Sequence, residues 1–241
     1  MYKNYIFDLY GTLVDIYTDE EKQEVWEKLS LFYGYYGALY SPQELKSTYK
    51  QLVDCKESVG DSHEAYPEIQ IEKVFRELFT VKGVQPDDTL TLHAGQFFRV
   101  LTTEYLRLYD GVKEMLEKLQ RQGKKIYLLS NAQRIFTEYE LRMLDIAKYF
   151  DGMLISSDYG VKKPDLRFFK VLLEKYHLNP KECIMIGNDE RSDIAGAAKA
   201  GMDSFYIHSN ISPEFSKKIN ATYVQLEMNL GKVCNTLGIA G

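Results

Sequence analysis

Long apolar runs, an excess of positive charge and paired cysteines are all missing from this chain, and each absence closes off a class of function. No hydrophobic stretch approaches the roughly 18 residues of a bilayer-spanning helix, so no membrane partner is expected. A net charge of −5 leaves no electrostatic footprint for nucleic acid. The three cysteines, Cys55, Cys183 and Cys234, are odd in number, widely spaced and outside any metal-ligand pattern. Reduced thiols in a cytoplasmic protein are the expectation. The N-terminus runs straight into an apolar segment with no signal-peptide pattern. Internal repeats and low-complexity tracts are absent as well.

What is present divides into two kinds of text. From about 18 to 108 the pattern is helical and carries no strand signal. Thr18 with Glu21 fits a capping box, followed by a stripe of Val25, Leu29, Phe32 and Tyr36. Ser41-Pro42-Gln43-Glu44 opens a second helix, with proline at its first position. Ile71, Val74, Phe75 and Leu78 mark a third, and Phe97, Leu101, Tyr105 and Leu108 a fourth. Four helices with short connections predict a small bundle. The chain has nineteen tyrosines, several of them crowded at 33–40, which read either as helix packing with amphipathic rims or as an aromatic wall facing a substrate.

From about 110 the text alternates between strand and helix. Apolar runs end at Ser130, at Ile155 and at Gly187, each followed by a helical stripe. This alternation predicts a doubly wound, mainly parallel sheet of Rossmann-like α/β type. A first strand at 5–7 belongs to that sheet but precedes the helical stretch. The expected layout is a core of residues 1–17 and 109–241 with an inserted α-helical bundle cap at 18–108.

The chemistry-bearing residues sit where strands end, which is where open α/β sheets place their ligands. Asp8 closes the first strand, in Asp8-Leu9-Tyr10-Gly11-Thr12. Ser130 closes the second, with Asn131 beside it. Lys163-Pro164 follows the third, and Gly187-Asn188-Asp189 with Asp193 follows the fourth. Taken singly, each pattern also fits a turn or a helix cap. Together, on successive strands of one sheet, they point to a site built around Asp8, a carboxylate suited to act as nucleophile or metal ligand.

In these four motifs, and in the insert after the first, the chain resembles the haloacid dehalogenase superfamily, whose members are mostly phosphatases. The resemblance covers nearly the whole chain. It implies that Asp8 is a nucleophile forming a covalent aspartyl intermediate. It implies Mg²⁺ held by Asp8, the backbone carbonyl of Tyr10, Asp189 and Asp193. Ser130, Asn131, Lys163, Gly11 and Thr12 would hold the phosphate, with Lys163 balancing the charge beside Asp8. The substrate implied is a small phosphate ester.

Two positions depart from the family pattern. The acid usual directly after the glycine of the fourth motif is Asn188, and an acid follows one residue later at Asp189. Residue 10 is a tyrosine where most phosphatases of the group carry an aspartate as general acid, and a phenol with a pKa near 10 is a poor base at neutral pH. A 2-haloacid dehalogenase is the alternative, because those enzymes carry tyrosine there and halide leaves without a proton. They need an arginine from the cap, however, and residues 16–52 contain none. A catalytically weak binding or regulatory member is the third reading. Lys28, Lys46 and Lys50 are open candidates for substrate contact from the cap.

Overall fold

The computed structural model describes residues 2–58, 66–215 and 218–239. Strand β1 (Asn4–Phe7) is followed by β2 (Val14–Thr18) and four helices, α1 (Gln23–Tyr35), α2 (Pro42–Ser58), α3 (Ile71–Thr80) and α4 (Asp88–Thr102). Then come β3 (Thr103–Leu108), α5 (Val112–Arg121), β4 (Lys125–Ser130), α6 (Arg134–Met143) and β5 (Gly152–Ile155). The chain continues through α7 (Leu166–Lys175), β6 (Cys183–Gly187), α8 (Ala195–Lys199), β7 (Asp203–Ile207), β8 (Tyr223–Gln225) and α9 (Leu230–Leu237).

Six strands form one sheet in the order β5-β4-β1-β6-β7-β8, and every pairing in it is parallel. β1 lies between β4 and β6, so the chain winds outward from it in both directions. Such a reversal opens a crevice at the carboxyl ends of the central strands. β1 is buried on both faces. Tyr5 and Phe7 join a cluster with Val112, Leu116 and Leu119 of α5, while Ile6 faces Phe168, Phe169 and Leu172 of α7. That two-sided burial is why the parallel strands appear in the sequence as unbroken apolar runs.

Helices α1 to α4 close over a separate aromatic core of Trp26, Tyr33, Phe75, Phe79 and Phe98. Tyr33 is fully buried against Phe79, with ring centres 4.2 Å apart, whereas Tyr35 is exposed. The crowded tyrosines thus serve helix packing and rims. Ser41 caps α2 reciprocally: its Oγ accepts the Glu44 N–H at 3.2 Å, and Glu44 Oε2 accepts the Ser41 N–H at 3.4 Å. Among the described residues, no helix is long and apolar enough to cross a membrane.

Two local expectations are corrected. The stretch 18–108 does contain a strand: α4 ends at Thr102, and Tyr105 and Leu108 lie in β3, antiparallel to β2. Tyr17 stacks on Tyr105 across this ribbon at 6.1 Å. The second correction concerns the start of α1. Thr18 belongs to β2 rather than to a capping box, and α1 begins only at Gln23. Asp19 Oδ1 accepts the Glu21 N–H at 2.9 Å instead, and Trp26 Nε1 donates to the Glu20 carbonyl at 2.7 Å.

Candidate active site

Asp8 stands one residue past β1, its backbone N–H still donating to the Ile186 carbonyl of β6 at 2.9 Å. Lys163 Nζ donates to Asp8 Oδ1 and to Asp193 Oδ1, each at 2.7 Å. The lysine and Asp193 side chains are both 1% exposed, and that of Asp8 is 11% exposed. Burial pushes the Asp193 carboxyl up, as does the Asp8 charge, with Lys163 opposing both. The Lys163 ammonium is itself held above its ordinary range: burial works against its charge, and Asp193 and Asp8 outweigh that. Two carboxylates therefore face a single cation in a dry setting. Of the two Asp8 oxygens, Oδ1 is the one paired with Lys163.

Two glycines let the motif loops close this tightly. A Cβ on Gly187 would lie 2.2 Å from Asp193 Oδ2, and one on Gly11 would lie 2.1 Å from Asn188 Nδ2. Gly11 also adopts φ +85°, a left-handed conformation that favours glycine.

Ser130 ends β4 fully buried, and its Oγ has no hydrogen-bond partner among the described residues. A buried hydroxyl without a partner is costly and calls for an explanation. The side chain of Asn131, expected among the phosphate ligands, is turned to another use. Its Oδ1 accepts the Lys163 N–H at 2.7 Å and its Nδ2 donates to the Lys163 carbonyl at 3.0 Å, splinting the lysine backbone to the β4 loop. Thr12 is also turned away, its Oγ1 donating to Asn188 Oδ1 at 3.3 Å. Asn188 Nδ2 in turn donates to Ser212 Oγ at 3.3 Å.

In the fourth motif the two acids have different surroundings. Asp189 caps the turn Glu190–Ile194, accepting from Arg191 N–H and Ser192 Oγ at 2.8 Å each. Asp193 reaches inward to Lys163, and its Oδ2 accepts the Asp189 N–H at 3.0 Å.

Tyr10 directs its hydroxyl to Glu140 Oε2 at 2.5 Å, with Thr137 Oγ1 at 3.1 Å. Arg99 of α4 donates to Glu140 Oε1 at 2.6 Å and lies over the Tyr10 ring at 5.7 Å. Burial and then the Glu140 charge raise the phenol well above its ordinary range, partly opposed by Arg99. Glu140 and Arg99 belong to no motif, and nothing in the sequence marked them. The three lysines of α1 and α2 form surface pairs, Lys28 with Glu24 and both Lys46 and Lys50 with Glu21.

No three His, Cys, Asp or Glu side chains make a ready metal cluster among the described residues. The donors are nonetheless of the kind Mg²⁺ takes: one or two carboxylates and a carbonyl oxygen, with water and phosphate oxygens completing the shell. The surplus negative charge of Asp8 and Asp193 over Lys163 fits a divalent cation too.

The haloacid dehalogenase-like hydrolase family model matches residues 2–201. A phosphoserine phosphatase of Thermus thermophilus is 31% identical over 143 residues, covering 59% of this chain and 56% of that protein, so the match spans little more than half of that relative. A glyceraldehyde 3-phosphate phosphatase of Methanothermobacter thermautotrophicus is 26% identical over 174 residues, 71% of this chain and 72% of the relative. The crystal structure of a 2-haloacid dehalogenase from Pseudomonas syringae superposes with a TM-score of 0.64 at 21% identity, over 99% of both chains, a likeness of fold. Fold, motif order and family match agree, and the chain belongs to the haloacid dehalogenase-like hydrolases.

Proposed function

We propose that the chain is a Mg²⁺-dependent phosphatase of small phosphorylated metabolites that works through an aspartyl-phosphate at Asp8. The observation that carries this reading is the buried Asp8–Lys163–Asp193 group beside the unpartnered Ser130 hydroxyl. An anionic nucleophile approaching an anionic phosphate needs positive charge and hydrogen-bond donors already in place. Lys163 supplies the first and Ser130 Oγ the second. Asp8 Oδ2 attacks phosphorus, the bond from phosphorus to the ester oxygen breaks, and the leaving group takes that electron pair. Water then hydrolyses the acyl phosphate, returning Asp8 and releasing inorganic phosphate. Asp8, the Tyr10 carbonyl and Asp193 would hold Mg²⁺, with Asp189 behind them, and the ion would offset phosphoryl charge.

The division into a core of 1–17 and 109–241 and a cap of 18–108 fits this reading, with the β2–β3 ribbon as the connection between them. Such a cap can close over the crevice and exclude water.

Tyr10 and the approach of Arg99 favour dehalogenation as the second reading. Against it, Arg99 is already neutralised by Glu140, and Asp193 adds a negative charge that would repel a carboxylate substrate and a departing halide. A panel of phosphate esters and 2-chloropropionate, each with and without Mg²⁺, separates the two. The expected outcome is phosphate release that stops in excess chelator and is lost in Asp8→Asn, with a wild-type-like melting curve for that variant. Full turnover in chelator, halide release without phosphate release, or an active Asp8→Asn would overturn the proposal.

A further inference from the structure

Residues 66–71 lead into α3 of the helical unit while lying against the core, and this short segment touches both loops that bear the proposed phosphate-facing groups. Its backbone runs against residues 160–162. Lys162 N–H donates to the Tyr66 carbonyl and Glu68 N–H to the Gly160 carbonyl, both at 3.0 Å, and Pro67 bridges Val161 in antiparallel fashion. Lys163 is the next residue.

Toward the other loop, Glu68 Oε2 accepts from Ser156 Oγ at 2.7 Å, and Oε1 accepts from Gln133 Nε2 at 3.1 Å. Gln133 also donates to the Ile69 carbonyl at 3.0 Å and accepts the Ile71 N–H at 2.9 Å. Ser156 Oγ accepts the Ala132 N–H at 2.8 Å. Ala132 and Gln133 directly follow Ser130 and Asn131.

We propose that Glu68 is a positioning residue that couples seating of the helical unit to the geometry of the Ser130–Asn131 loop and of Lys163. The reasoning turns on a single proton. A serine hydroxyl has one hydrogen to give and lone pairs to accept with. While Ser156 gives that hydrogen to Glu68, its lone pairs face the Ala132 N–H and fix the loop after Ser130. Without Glu68 the hydrogen has a second acceptor in reach, the Ala132 carbonyl at 3.1 Å. The hydroxyl then rotates, and the hold on the loop changes. The Glu68 backbone meanwhile clamps the segment leading into Lys163. One cap residue thus bears on both groups that meet the phosphate.

The kinetic part of the test rests on the phosphatase reading; a second part does not. Glu68→Ala, Glu68→Gln, Ser156→Ala, the Glu68→Ala/Ser156→Ala double variant and the surface control Lys46→Ala are compared. Turnover of an aryl phosphate, inhibition by inorganic phosphate and backbone amide exchange are measured. Glu68→Ala is expected to lower kcat about 10-fold and to weaken phosphate inhibition by a similar factor, since small misplacements of catalytic groups are costly. Glu68→Gln should recover most of both, and the double variant should be no worse than the poorer single one. Exchange should quicken at 131–133 and 161–163 in Glu68→Ala but not in Lys46→Ala. Unchanged phosphate inhibition, additive losses or unaltered exchange at those amides would overturn the proposal. If the wild type releases no phosphate from any ester, the phosphatase reading falls, and the exchange data alone decide the role of Glu68.

Discussion

The Tyr10 hydroxyl donates to Glu140 Oε2 at 2.5 Å, and that bond limits what residue 10 can do beside Asp8. Glu140 is fixed from its other side by Arg99 at 2.6 Å, so the phenol lies within a buried chain linking the first motif, α6 and α4. Burial and the Glu140 charge raise its pKa further from neutrality. To protonate a leaving group it would have to break a short bond to a carboxylate and then part with a tightly held proton.

A leaving group that departs as a stable anion needs no such help. Aryl and acyl phosphates are therefore expected to turn over faster than sugar phosphates, by up to the ~10²–10⁴-fold that general acid catalysis supplies. The check is log rate against leaving-group pKa for wild type and Tyr10→Phe, under conditions where chemistry limits the rate. The slope should be steep in both. A flat wild-type plot, or one that steepens only in Tyr10→Phe, would show that Tyr10 acts as the acid.

Lys163→Met should cost activity and also stability, because it leaves Asp8 and Asp193 buried without their shared cation. Removing one partner of a buried charge group typically costs about 3–5 kcal/mol. The loss should depend on pH in a definite direction. A carboxyl whose folded-state pKa lies above its unfolded value binds a proton on folding, so stability is highest in acid and falls as pH rises through the raised value. Asp193 is already pushed up in the wild type, by burial first and then by Asp8. Urea melts of Lys163→Met at pH 5 and pH 8 should therefore differ more than those of wild type, with pH 8 the weaker. Adding Asp193→Asn should restore part of the pH 8 loss; equal melts at both pH values would contradict the argument.

The sheet and the main line of the site were legible because both are written locally. β1, β4 and β6 are buried on both faces and so appear as apolar runs, and a run that stops at a polar residue marks its own carboxyl end. Asp8 and Ser130 could be placed on that basis, and Lys163 only as part of the loop that follows β5. β3 could not, since Leu101, Tyr105 and Leu108 also satisfy a helical period. Only the pairing with β2, remote in sequence, decides for strand. Asp189 and Asp193 could not be told apart in the sequence, and it is the contacts that separate them: Asp189 caps the turn 190–194, while Asp193 reaches Lys163. Asn131 likewise has a role in holding Lys163 that depends on a loop 32 residues away. Arg99, Glu140 and Glu68 act through contacts between elements, and contacts of that kind leave no periodicity or spacing in the sequence.

The β2–β3 ribbon is tied to the core through Asp15, which yields a last test. Asp15 is buried. Its Oδ2 accepts from Arg107 Nε at 2.8 Å and Nη2 at 2.7 Å, and its Oδ1 accepts from Asn210 Nδ2 at 2.8 Å. Tyr109 extends the chain by donating to Asn210 Oδ1 at 2.6 Å. Burial works to raise the Asp15 carboxyl, but the hydrogen bonds from Asn210 and Arg107 outweigh it and leave it below the ordinary range. A depressed carboxyl contributes stability above its unfolded pKa of about 4, and that contribution is lost as pH falls toward the folded value. Asp15→Ala should thus destabilise by about 1–3 kcal/mol at pH 7, the range for a lost buried hydrogen-bonding partner. In denaturant melts the gap to wild type should narrow between pH 5 and pH 3. A gap that stays constant over that range would mean that the shape of the side chain, and not its charge, holds the ribbon in place.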